Sequence, residues 1–355
     1  MGSPINIAIL TPGFAAAEDD TSAIPSLQLY LKSLKAAFPE IRLHVLSFRY
    51  PFRKGDYDWN GIPVYAAGGK HRKWNHLGVW TRVFMRLYRM YRRGQLDLIH
   101  SFWLTETTLV GAMFGRLTGI PVLATAMGQD VKDQNRYLFF LRPFPLDVVL
   151  VSRFQSGVLK KRGKMNIGRV IPFGVDASCY HPDPSSERAV DILGAGSLNA
   201  VKNYDLFIRV VKQVSNEFPD LRCRILGGGP EKDRITQLIR ENGLESNITL
   251  TGPLEYREVQ EEMAGAKILL HTSRFEGQGL VITEALAAGM FVVCFPVGIA
   301  ADPISEKIHT GSTGEELALK ILEILRLKDP SFNPEIPLKI GQTVEEYASI
   351  YRTFV

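Results

Sequence analysis

This 355-residue sequence has few cysteines and no long apolar run. Its three cysteines, Cys179, Cys223 and Cys294, are scattered along the chain, which fits neither a disulfide framework nor a cysteine metal site. No apolar stretch approaches the roughly 18 residues that a membrane-spanning helix needs. The N-terminus lacks a basic segment and a cleavage site, so we expect no signal peptide and a cytoplasmic location.

Acidic residues are scarce in the first half of the chain. Residues 1–172 carry 24 Lys and Arg but only 11 Asp and Glu, a net charge of +13. Residues 173–355 carry 18 Lys and Arg and 26 Asp and Glu, a net charge of −8. This asymmetry predicts that only the first half faces an anionic surface or acceptor.

Short apolar runs alternate with helical patterns along the whole chain, which predicts an α/β fold with parallel sheets. The alternation stops in a stretch rich in turn formers and then restarts near Val190. We therefore predict two Rossmann-like domains that face each other across a cleft. The predicted boundaries are an N-terminal acceptor-binding domain over 1–172, a linker over 173–189, a donor-binding domain over 190–340 and a last helix over 341–355.

The most informative segment runs from Arg274 to Gly289 and contains two glutamates, Glu276 and Glu284, separated by seven residues. Gly277 and Gly279 permit close approach of the backbone, and a helical pattern begins at Leu280. A helix N-terminus offers unpaired N–H groups and partial positive charge, which suits a phosphate. Glu276 is predicted to lie beside that phosphate site and Glu284 more than one turn into the helix.

Other loops follow strands on the same predicted sheet. Lys202 begins a helix after the strand that ends at Gly194, and it is predicted to place a point charge near a diphosphate. Gly194-x-Gly196 begins like a dinucleotide fingerprint, but Asn199 occupies the place of the third glycine. Two further turns, Gly227-Gly-Gly-Pro230 and Thr251-Gly-Pro-Leu254, follow the next strands. The coincidence of all these loops on one sheet edge is a stronger signal than any of them alone.

Together these motifs resemble the retaining, GT-B-fold glycosyltransferases of family 4 (group 1). The segment with Glu276 and Glu284 resembles that family's E-x7-E motif, in which the first Glu contacts the donor sugar and the second the ribose. The resemblance implies a donor site for a UDP- or GDP-sugar and a last helix that crosses back onto the N-terminal domain. The implied donor residues are Gly13, Ser197, Lys202, Gly229, Pro253, Leu254, Glu276, Gly277, Gln278, Gly279, Leu280 and Glu284.

The sequence departs from the family pattern at two positions of chemistry. Ser197 stands where the family has an Arg that grips the diphosphate, so charge stabilisation is expected from Lys202, the helix N-terminus and, as an open alternative, another Arg. Met127 stands where the family has a His near the reacting sugar, and this leaves Asp130 as the nearest carboxylate. His100 ends a strand that resembles one in the family, and packing and catalysis are equally good interpretations of it. The implied catalytic residues are Glu276, Lys202 and Asp130.

The resemblance implies transfer of a hexose from a nucleotide-diphosphate sugar to a hydroxyl of a lipid-linked or polysaccharide acceptor, with retention. We expect no metal and no other cofactor. The GT-A enzymes hold a metal with Asp-x-Asp, and the triplet of that kind here, Asp56-Tyr-Asp58, is predicted to be a solvated loop. Three alternatives stay open: a nucleotide-sugar epimerase, a nicotinamide-dependent oxidoreductase and a non-catalytic nucleotide-sugar-binding protein.

A basic amphipathic helix is predicted over 77–93. Its apolar face is predicted to carry Trp80, Val83, Phe84, Leu87, Tyr88 and Tyr91, and its opposite face Arg82, Arg86, Arg89 and Arg93. One interpretation is a helix packed on the sheet with solvated arginines. The other is docking on an anionic inner membrane surface, aided by Lys70, Arg72, Lys73 and the basic cluster at 160–164. Nucleic acid is not an expected partner, since no recognition module accompanies the charge.

Overall fold

The structure, a computed structural model, describes residues 4–69, 76–159, 165–180 and 187–355. The chain divides into two compact units. Unit 1 comprises Met1–Phe173 together with Ile340–Val355, and unit 2 comprises Gly174–Lys339. The basic residues Lys70, Arg72, Lys73 and 160–164 lie outside the described residues, as does the 181–186 part of the predicted linker.

Unit 1 is built on an eight-stranded sheet of order β3-β4-β2-β1-β5-β6-β7-β8, in which only the β3–β4 pair is antiparallel. Its interior strands are almost continuous runs of buried apolar residues, as expected for a parallel sheet covered on both faces. The strands are β1 (Ile5–Gly13), β2 (Ile41–Tyr50), β3 (Lys54–Trp59), β4 (Ile62–Ala67), β5 (Leu98–Phe102), β6 (Val122–Ala126), β7 (Leu146–Leu150) and β8 (Met165–Val170).

Within the described residues, six α-helices complete unit 1, and the last of them lies near the C-terminus of the chain. They are α1 (Pro25–Ala37), α2 (His76–Arg92), α3 (Glu106–Thr118), α4 (Tyr137–Leu141), α5 (Arg153–Val158) and, numbered last in chain order, α11 (Ile340–Arg352). Pro25 opens α1 because a first-turn residue has no intrahelical use for its N–H. Gly119, in the left-handed region at φ +81°, ends α3.

A buried hydrogen-bond network attaches α11 to unit 1. His100 Nδ1 lies 2.6 Å from the Tyr351 hydroxyl, and His100 Nε2 lies 2.8 Å from Thr125 Oγ1. The Tyr351 hydroxyl in turn lies 2.5 Å from that of Tyr30 on α1. Burial lowers the pKa of His100 to about 3, so this histidine is neutral and pairs within the core. Of the two interpretations of His100, the structure therefore supports packing and hydrogen bonding.

Unit 2 contains a six-stranded, wholly parallel sheet of order β11-β10-β9-β12-β13-β14. Its apolar strands lie between two clusters of buried side chains, one on each face. The strands are β9 (Val190–Ala195), β10 (Cys223–Leu226), β11 (Ile248–Gly252), β12 (Ala266–His271), β13 (Phe291–Cys294) and β14 (Ile308–Thr310). The helices are α6 (Tyr204–Ser215), α7 (Lys232–Glu241), α8 (Tyr256–Ala264), α9 (Leu280–Ala287) and α10 (Gly314–Leu325).

The parallel α/β architecture confirms the fold class expected from the alternating pattern, with one addition in unit 1. Asp56 and Asp58 are exposed, as expected, but the triplet is not a loop: it belongs to β3, in a hairpin with β4 at the edge of the sheet. Asp58 Oδ1 accepts a hydrogen bond from Gly61 N at 2.6 Å, and Asp56 pairs with Arg86. No helix within the described ranges is both long enough and apolar enough to cross a membrane.

Candidate functional site

The carboxyl edge of the unit 2 sheet has a switch point between β9 and β12, its two central strands. From β9 the chain proceeds to β10 and β11 on one side, whereas from β12 it proceeds to β13 and β14 on the other. Loops that follow such neighbouring strands diverge and leave a crevice, where open α/β sheets bind ligands. The loop after β9 carries Lys202, and the loop after β12 carries Glu276.

Three polar side chains converge at this switch point. Lys202 Nζ lies 2.7 Å from Glu276 Oε1, and His271 Nε2 lies 3.1 Å from the same oxygen. His271 is buried, while Lys202 and Glu276 retain 20% and 15% of their side-chain exposure. The pair is therefore shielded enough to interact strongly and open enough to meet a ligand.

Opposing effects set the charge of this cluster. Burial alone would raise the pKa of Glu276, but the hydrogen bond from His271 and the positive charge of Lys202 outweigh it and lower the pKa to about 2. Burial lowers the pKa of His271 as well. A neutral imidazole beside an ionised carboxylate donates from Nε2, so Glu276 is an anion that accepts two hydrogen bonds through one oxygen.

Local backbone bonds hold the Lys202 loop in place. Asn199 Oδ1 accepts from Val201 N at 3.1 Å, and the Thr272 hydroxyl donates to Lys202 O at 2.9 Å. Gly196 has φ +137°, and a Cβ there would meet Lys202 Cε at 3.0 Å. Glycine at 196 thus lets the lysine side chain cross its own loop toward Glu276.

The loop after β10 packs directly on the loop after β9. A Cβ on Gly229 would meet Leu198 O at 2.4 Å, and one on Gly227 would meet Gly196 O at 2.2 Å. Leu198 N donates to Gly228 O at 2.9 Å, and a Cβ on Gly228 would lie 3.0 Å from Pro253 of the next loop. The glycines at these positions are therefore needed for close packing of three loops on one edge.

The helix N-terminus expected after Glu276 is present. Gly279 precedes α9 with φ +83°, a conformation that glycine adopts at little cost, and α9 begins at Leu280. The first N–H groups of a helix have no intrahelical acceptor, so they are available to an anion. Gly298, with φ +60°, packs against this turn, since a Cβ there would meet Gln278 O at 2.2 Å.

Glu284 lies on α9 within a second polar cluster. The Tyr256 hydroxyl donates to Glu284 Oε1 at 3.3 Å and lies 3.1 Å from the hydroxyl of Tyr180. Burial raises the pKa of Glu284 to about 7, although the tyrosine hydrogen bond acts in the opposite direction. This carboxyl is consequently half ionised near neutral pH.

The structure brings together most of the residues implied for the donor site. Those in unit 2 lie on loops or a helix start at the carboxyl ends of β9, β10, β11 and β12, apart from Glu284 within α9: Ser197, Lys202, Gly229, Pro253, Leu254, Glu276, Gly277, Gln278, Gly279, Leu280 and Glu284. Ser197, in the place of the family Arg, is exposed. Gly13 belongs to unit 1, where it ends β1 opposite Tyr50.

Asp130 follows β6 in unit 1 and is buried. Its Oδ2 accepts from Leu104 N at 2.8 Å and Met127 N at 3.3 Å, and its Oδ1 accepts from Gly128 N at 2.6 Å. Burial raises the pKa of this carboxyl, and the backbone donors oppose that effect. Its two oxygens therefore fix the loops after β5 and β6, and a direct catalytic role stays a prediction.

Sequence reasoning did not find several residues of these sites. His271 and Tyr256 carry no motif of their own, and only their partners Glu276 and Glu284 reveal them. In unit 1 a buried carboxylate, Glu106, pairs with Arg49 at the carboxyl end of β2 and with the Tyr137 hydroxyl. Burial raises the pKa of Tyr137 to about 12, and Glu106 adds to this. The sequence feature that could have pointed to Glu106 is its position in the first turn of a helix, where acidic residues are favoured.

The amphipathic helix α2 differs from its predicted pattern. Its buried side is narrow and consists of Val79, Val83, Leu87 and Met90. Tyr88 was predicted on the buried face but is 43% exposed, and Leu77 and Met85 are exposed beside it. Arg82 donates to Ala67 O at 3.1 Å and Arg86 pairs with Asp56 at 2.7 Å, so two of the four predicted arginines contact the sheet.

Two Rossmann-like units define a GT-B architecture, and unit 2 carries a helix N-terminus and two carboxylates, Glu276 and Glu284, at the carboxyl edge of its sheet. Residues 183–333 match the family model described as Glycosyl transferases group 1. The family prediction is confirmed over this segment, which matches the group 1 glycosyltransferases, and the GT-B fold is confirmed with it.

Relatives and solved structures agree with this assignment. An uncharacterized glycosyltransferase of Methanocaldococcus jannaschii is 26% identical over 92% of this chain and 90% of its own length. A GDP-mannose-dependent phosphatidylinositol monomannoside mannosyltransferase of Mycolicibacterium smegmatis is 27% identical over 55% of this chain and 52% of its own. The Anabaena HepE structure, solved with UDP and glucose, has a TM-score of 0.68 at 18% identity, covering 99% of this chain and 97% of its own.

Proposed function

We propose that this glycosyltransferase moves a hexose from a UDP- or GDP-sugar to a hydroxyl of a lipid-linked or polysaccharide acceptor, with retention and without a metal. The observation that supports this most is the placement of Lys202, Glu276, the start of α9 and Glu284 on one edge of the unit 2 sheet. The cation and the helix N-terminus suit the diphosphate of such a donor. The first carboxylate suits the sugar hydroxyls, and the second carboxyl suits the ribose.

Lys202 and the first N–H groups of α9 are proposed to bind the donor diphosphate. As the bond between the anomeric carbon and the diphosphate oxygen breaks, negative charge grows on that oxygen, where preorganised donors stabilise it. Glu276 orients the sugar through its hydroxyls, and Glu284 accepts hydrogen bonds from the ribose. The loops after β10 and β11 contact the base through Gly229, Pro253 and Leu254.

Retention is proposed to follow from attack on the face that the diphosphate leaves. The acceptor oxygen bonds to the anomeric carbon as the diphosphate departs, and its proton passes to the leaving diphosphate oxygen. No covalent glycosyl-enzyme forms in this scheme, because the acceptor oxygen attacks the anomeric carbon directly and Glu276 contacts the sugar hydroxyls. Trapping of a glycosyl-enzyme adduct would contradict this step.

The ion pair between Lys202 and Glu276 implies competition when the donor arrives. A diphosphate attracts Lys202 more strongly than one carboxylate does, since it carries more charge on more oxygens. Glu276 is then released from the lysine and becomes available to the sugar hydroxyls. Donor binding thus replaces the Lys202–Glu276 ion pair with two contacts to the donor, one from Lys202 to the diphosphate and one from Glu276 to the sugar.

A lipid-linked acceptor is supported by the face of α2 and by one relative. The mycobacterial relative is named for a phosphatidylinositol monomannoside acceptor. The exposed side of α2 presents Leu77, Met85 and Tyr88, with Arg89 and Arg92 also exposed. Apolar residues with adjacent cations favour the interface of an anionic bilayer, at about 1 kcal/mol per basic residue near the surface.

In unit 1, the residues proposed to serve the acceptor are Glu106 and Arg49, at the carboxyl ends of β5 and β2. Asp130 is proposed to act by positioning the adjoining loops, since its oxygens already accept three backbone N–H groups. Gly13, at the end of β1, permits close approach to a ligand at the same sheet edge.

The test is turnover of a panel of UDP- and GDP-hexoses with lipid-linked and polysaccharide acceptors, with and without a chelator. The proposal expects product in which the new anomeric centre has the configuration of the donor, as read by NMR, at an unchanged rate in chelator. Free epimerised donor without transfer would instead establish an epimerase. Saturable donor binding with no turnover of any acceptor would favour a sugar-nucleotide-binding protein.

A further inference from the structure

Unit 1 contains a pocket of about 240 Å³ that none of the features above explains. Three arginines of α2 and the segment after it line this pocket: Arg86, Arg89 and Arg93. His44 of β2 and Tyr65 of β4 line the opposite wall. No carboxylate is among its lining residues.

The pocket lies away from the sheet edge expected to bind substrates. His44 and Pro63 are near the amino-terminal ends of β2 and β4, whereas Arg49, Gly13 and Asp130 lie at the carboxyl ends of their strands or beyond. It is also distinct from the apolar side of α2. At about 100° per residue, Arg86, Arg89 and Arg93 share one flank of the helix and Leu77 and Tyr88 another.

The charges in the pocket are only partly neutralised. The Arg86 guanidinium pairs with Asp56 at 2.7 Å and lies over the Tyr65 ring, 5.2 Å from its centroid. Within the described part of the chain, the side chains of Arg89 and Arg93 form no ion pair or hydrogen bond. Arg93 follows the last residue of α2 and lines the pocket beside the left-handed turn at Gly94, φ +63°. Three cations thus surround one concavity with a single carboxylate beside them.

His44 contributes a polar group rather than another charge. Burial and the nearby Arg86 and Arg42 lower its pKa, so its ring is neutral at pH 7 and offers one donor and one acceptor. The volume is below the roughly 300–1,000 Å³ of pockets that hold drug-sized ligands. Guanidinium groups match the geometry of phosphate oxygens through paired hydrogen bonds.

We propose that this pocket binds a phosphate group, either on a small soluble phosphate compound or on a lipid headgroup. The inference does not rest on the proposed transfer reaction, because it concerns a different edge of unit 1 and uses none of the donor residues. Phosphate would supply the missing negative charge between Arg89 and Arg93, with Arg86 held behind it by Asp56.

The experiment is hydrogen exchange of the full-length protein titrated with inorganic phosphate, at ionic strength held constant with chloride. It is made in a Lys202→Ala background, so that phosphate at the proposed donor site does not contribute. The proposal expects saturable protection at 44–46 and 86–95. Arg89→Gln and Arg93→Gln should each weaken binding by about tenfold, as expected for loss of a charge-assisted hydrogen bond.

Arg92→Gln is the matched control, because Arg92 is an exposed arginine of the same helix that does not line the pocket. It should leave phosphate affinity within about twofold of the background protein. An equal loss in all three variants would mean diffuse attraction by the helix and overturn the proposal. Absence of saturable protection in a protein that remains folded would overturn it as well.

The two sources of phosphate are distinguished by vesicles. Phosphatidylglycerol vesicles, but not phosphatidylcholine vesicles, should protect the same segments if a lipid headgroup is the ligand, and inorganic phosphate should then compete. If glycerol phosphate and inorganic phosphate bind but vesicles do not protect 44–46, the ligand is a soluble phosphate compound. Either result supports the proposed phosphate site. If the Arg89→Gln, Arg93→Gln double variant keeps both the protection by vesicles and the protection by soluble phosphate, the proposal is contradicted.

Discussion

Lys202 Nζ lies 2.7 Å from Glu276 Oε1, and the two residues are on loops that follow two adjacent strands. This pair connects the two halves of the switch point, since Lys202 follows β9 and Glu276 follows β12. His271 donates to the same oxygen. In the proposed reaction the donor diphosphate therefore competes with Glu276 for Lys202. The effects that we expect of mutations on nucleotide affinity and kcat follow from this competition.

Glu276→Gln is expected to separate chemistry from nucleotide binding. The amide keeps the shape but loses the charge that orients the sugar, so we expect kcat to fall by about 10²–10³-fold. Affinity for the nucleoside diphosphate should be unchanged or tighter, because Lys202 no longer pairs with a carboxylate. Calorimetry and initial rates measure the two effects, and Glu261→Gln on the exposed side of α8 is the control. Weaker nucleotide binding in Glu276→Gln would contradict this assignment.

Lys202→Ala is expected to weaken nucleoside diphosphate binding by about tenfold to a hundredfold, through loss of one charge-assisted contact. Without an Arg at 197, no second side chain of that loop replaces the cation. Lys202→Arg should recover part of the affinity. Lys212→Ala, an exposed lysine of α6, should behave as the unchanged protein in the same titration. Equal affinities for Lys202→Ala and Lys212→Ala would exclude the proposed diphosphate contact.

Glu284 predicts a pH-dependent stability. Its folded pKa of about 7 is above the ordinary value of 4.5, so it stabilises the fold below about pH 4.5, and this contribution is lost as pH rises to about 7. Glu284→Gln should therefore be more stable than the unchanged protein above pH 7, by on the order of 3 kcal/mol. The difference should shrink toward pH 4.5 in denaturant unfolding. A gain in the free energy of unfolding that does not depend on pH, or that Glu241→Gln shows equally, would contradict a raised pKa for Glu284.

Gly229→Ala tests the packing of the loops after β9 and β10. The added Cβ would meet Leu198 O at 2.4 Å, so one loop must shift. Overpacking of this kind destabilises proteins by about 1–3 kcal/mol, and we expect nucleotide affinity to fall with it. Gly265→Ala, where the nearest atom is 3.7 Å away, is the control in the same unit. Thermal unfolding and nucleotide titration of both variants give the result.

The apolar side of α2 predicts binding to anionic vesicles. Leu77→Gln with Met85→Gln should reduce cosedimentation with phosphatidylglycerol vesicles, since each exposed apolar side chain contributes to insertion at the interface. Leu319→Gln changes an exposed leucine of unit 2 and should leave vesicle binding unaltered. If the unchanged protein, the double variant and Leu319→Gln bind vesicles equally at low and at high salt, the proposed membrane contact of α2 is wrong.

Local chemistry made much of this fold and site predictable from sequence. Gly279 before Leu280 is a turn followed by a helical run, and the structure has a helix there within one residue of the expectation. The β3–β4 hairpin was missed because Asp56 and Asp58 are polar, and edge strands need not be apolar. Tyr88 was misplaced because the buried side of α2 is narrower than its apolar content suggests.

Contacts between residues distant in sequence were beyond sequence reasoning. Lys202 reaches Glu276, and Tyr256 reaches Glu284, only because the sheet order brings the loops after β9, β11 and β12 to one edge. A pKa of about 7 for Glu284 depends on its burial, which a helical pattern alone does not give. The arginine pocket likewise depends on how α2 packs against β2 and β4.

The most direct test is calorimetric titration of the purified protein with UDP, GDP, ADP and NAD, alongside Lys202→Ala and Glu284→Ala. The account predicts that UDP or GDP binds one site, that Lys202→Ala weakens this binding by about tenfold or more, and that Glu284→Ala weakens it too. Binding of NAD alone, or of a nucleoside diphosphate with equal affinity in all three proteins, would contradict the donor site proposed at the edge of the unit 2 sheet.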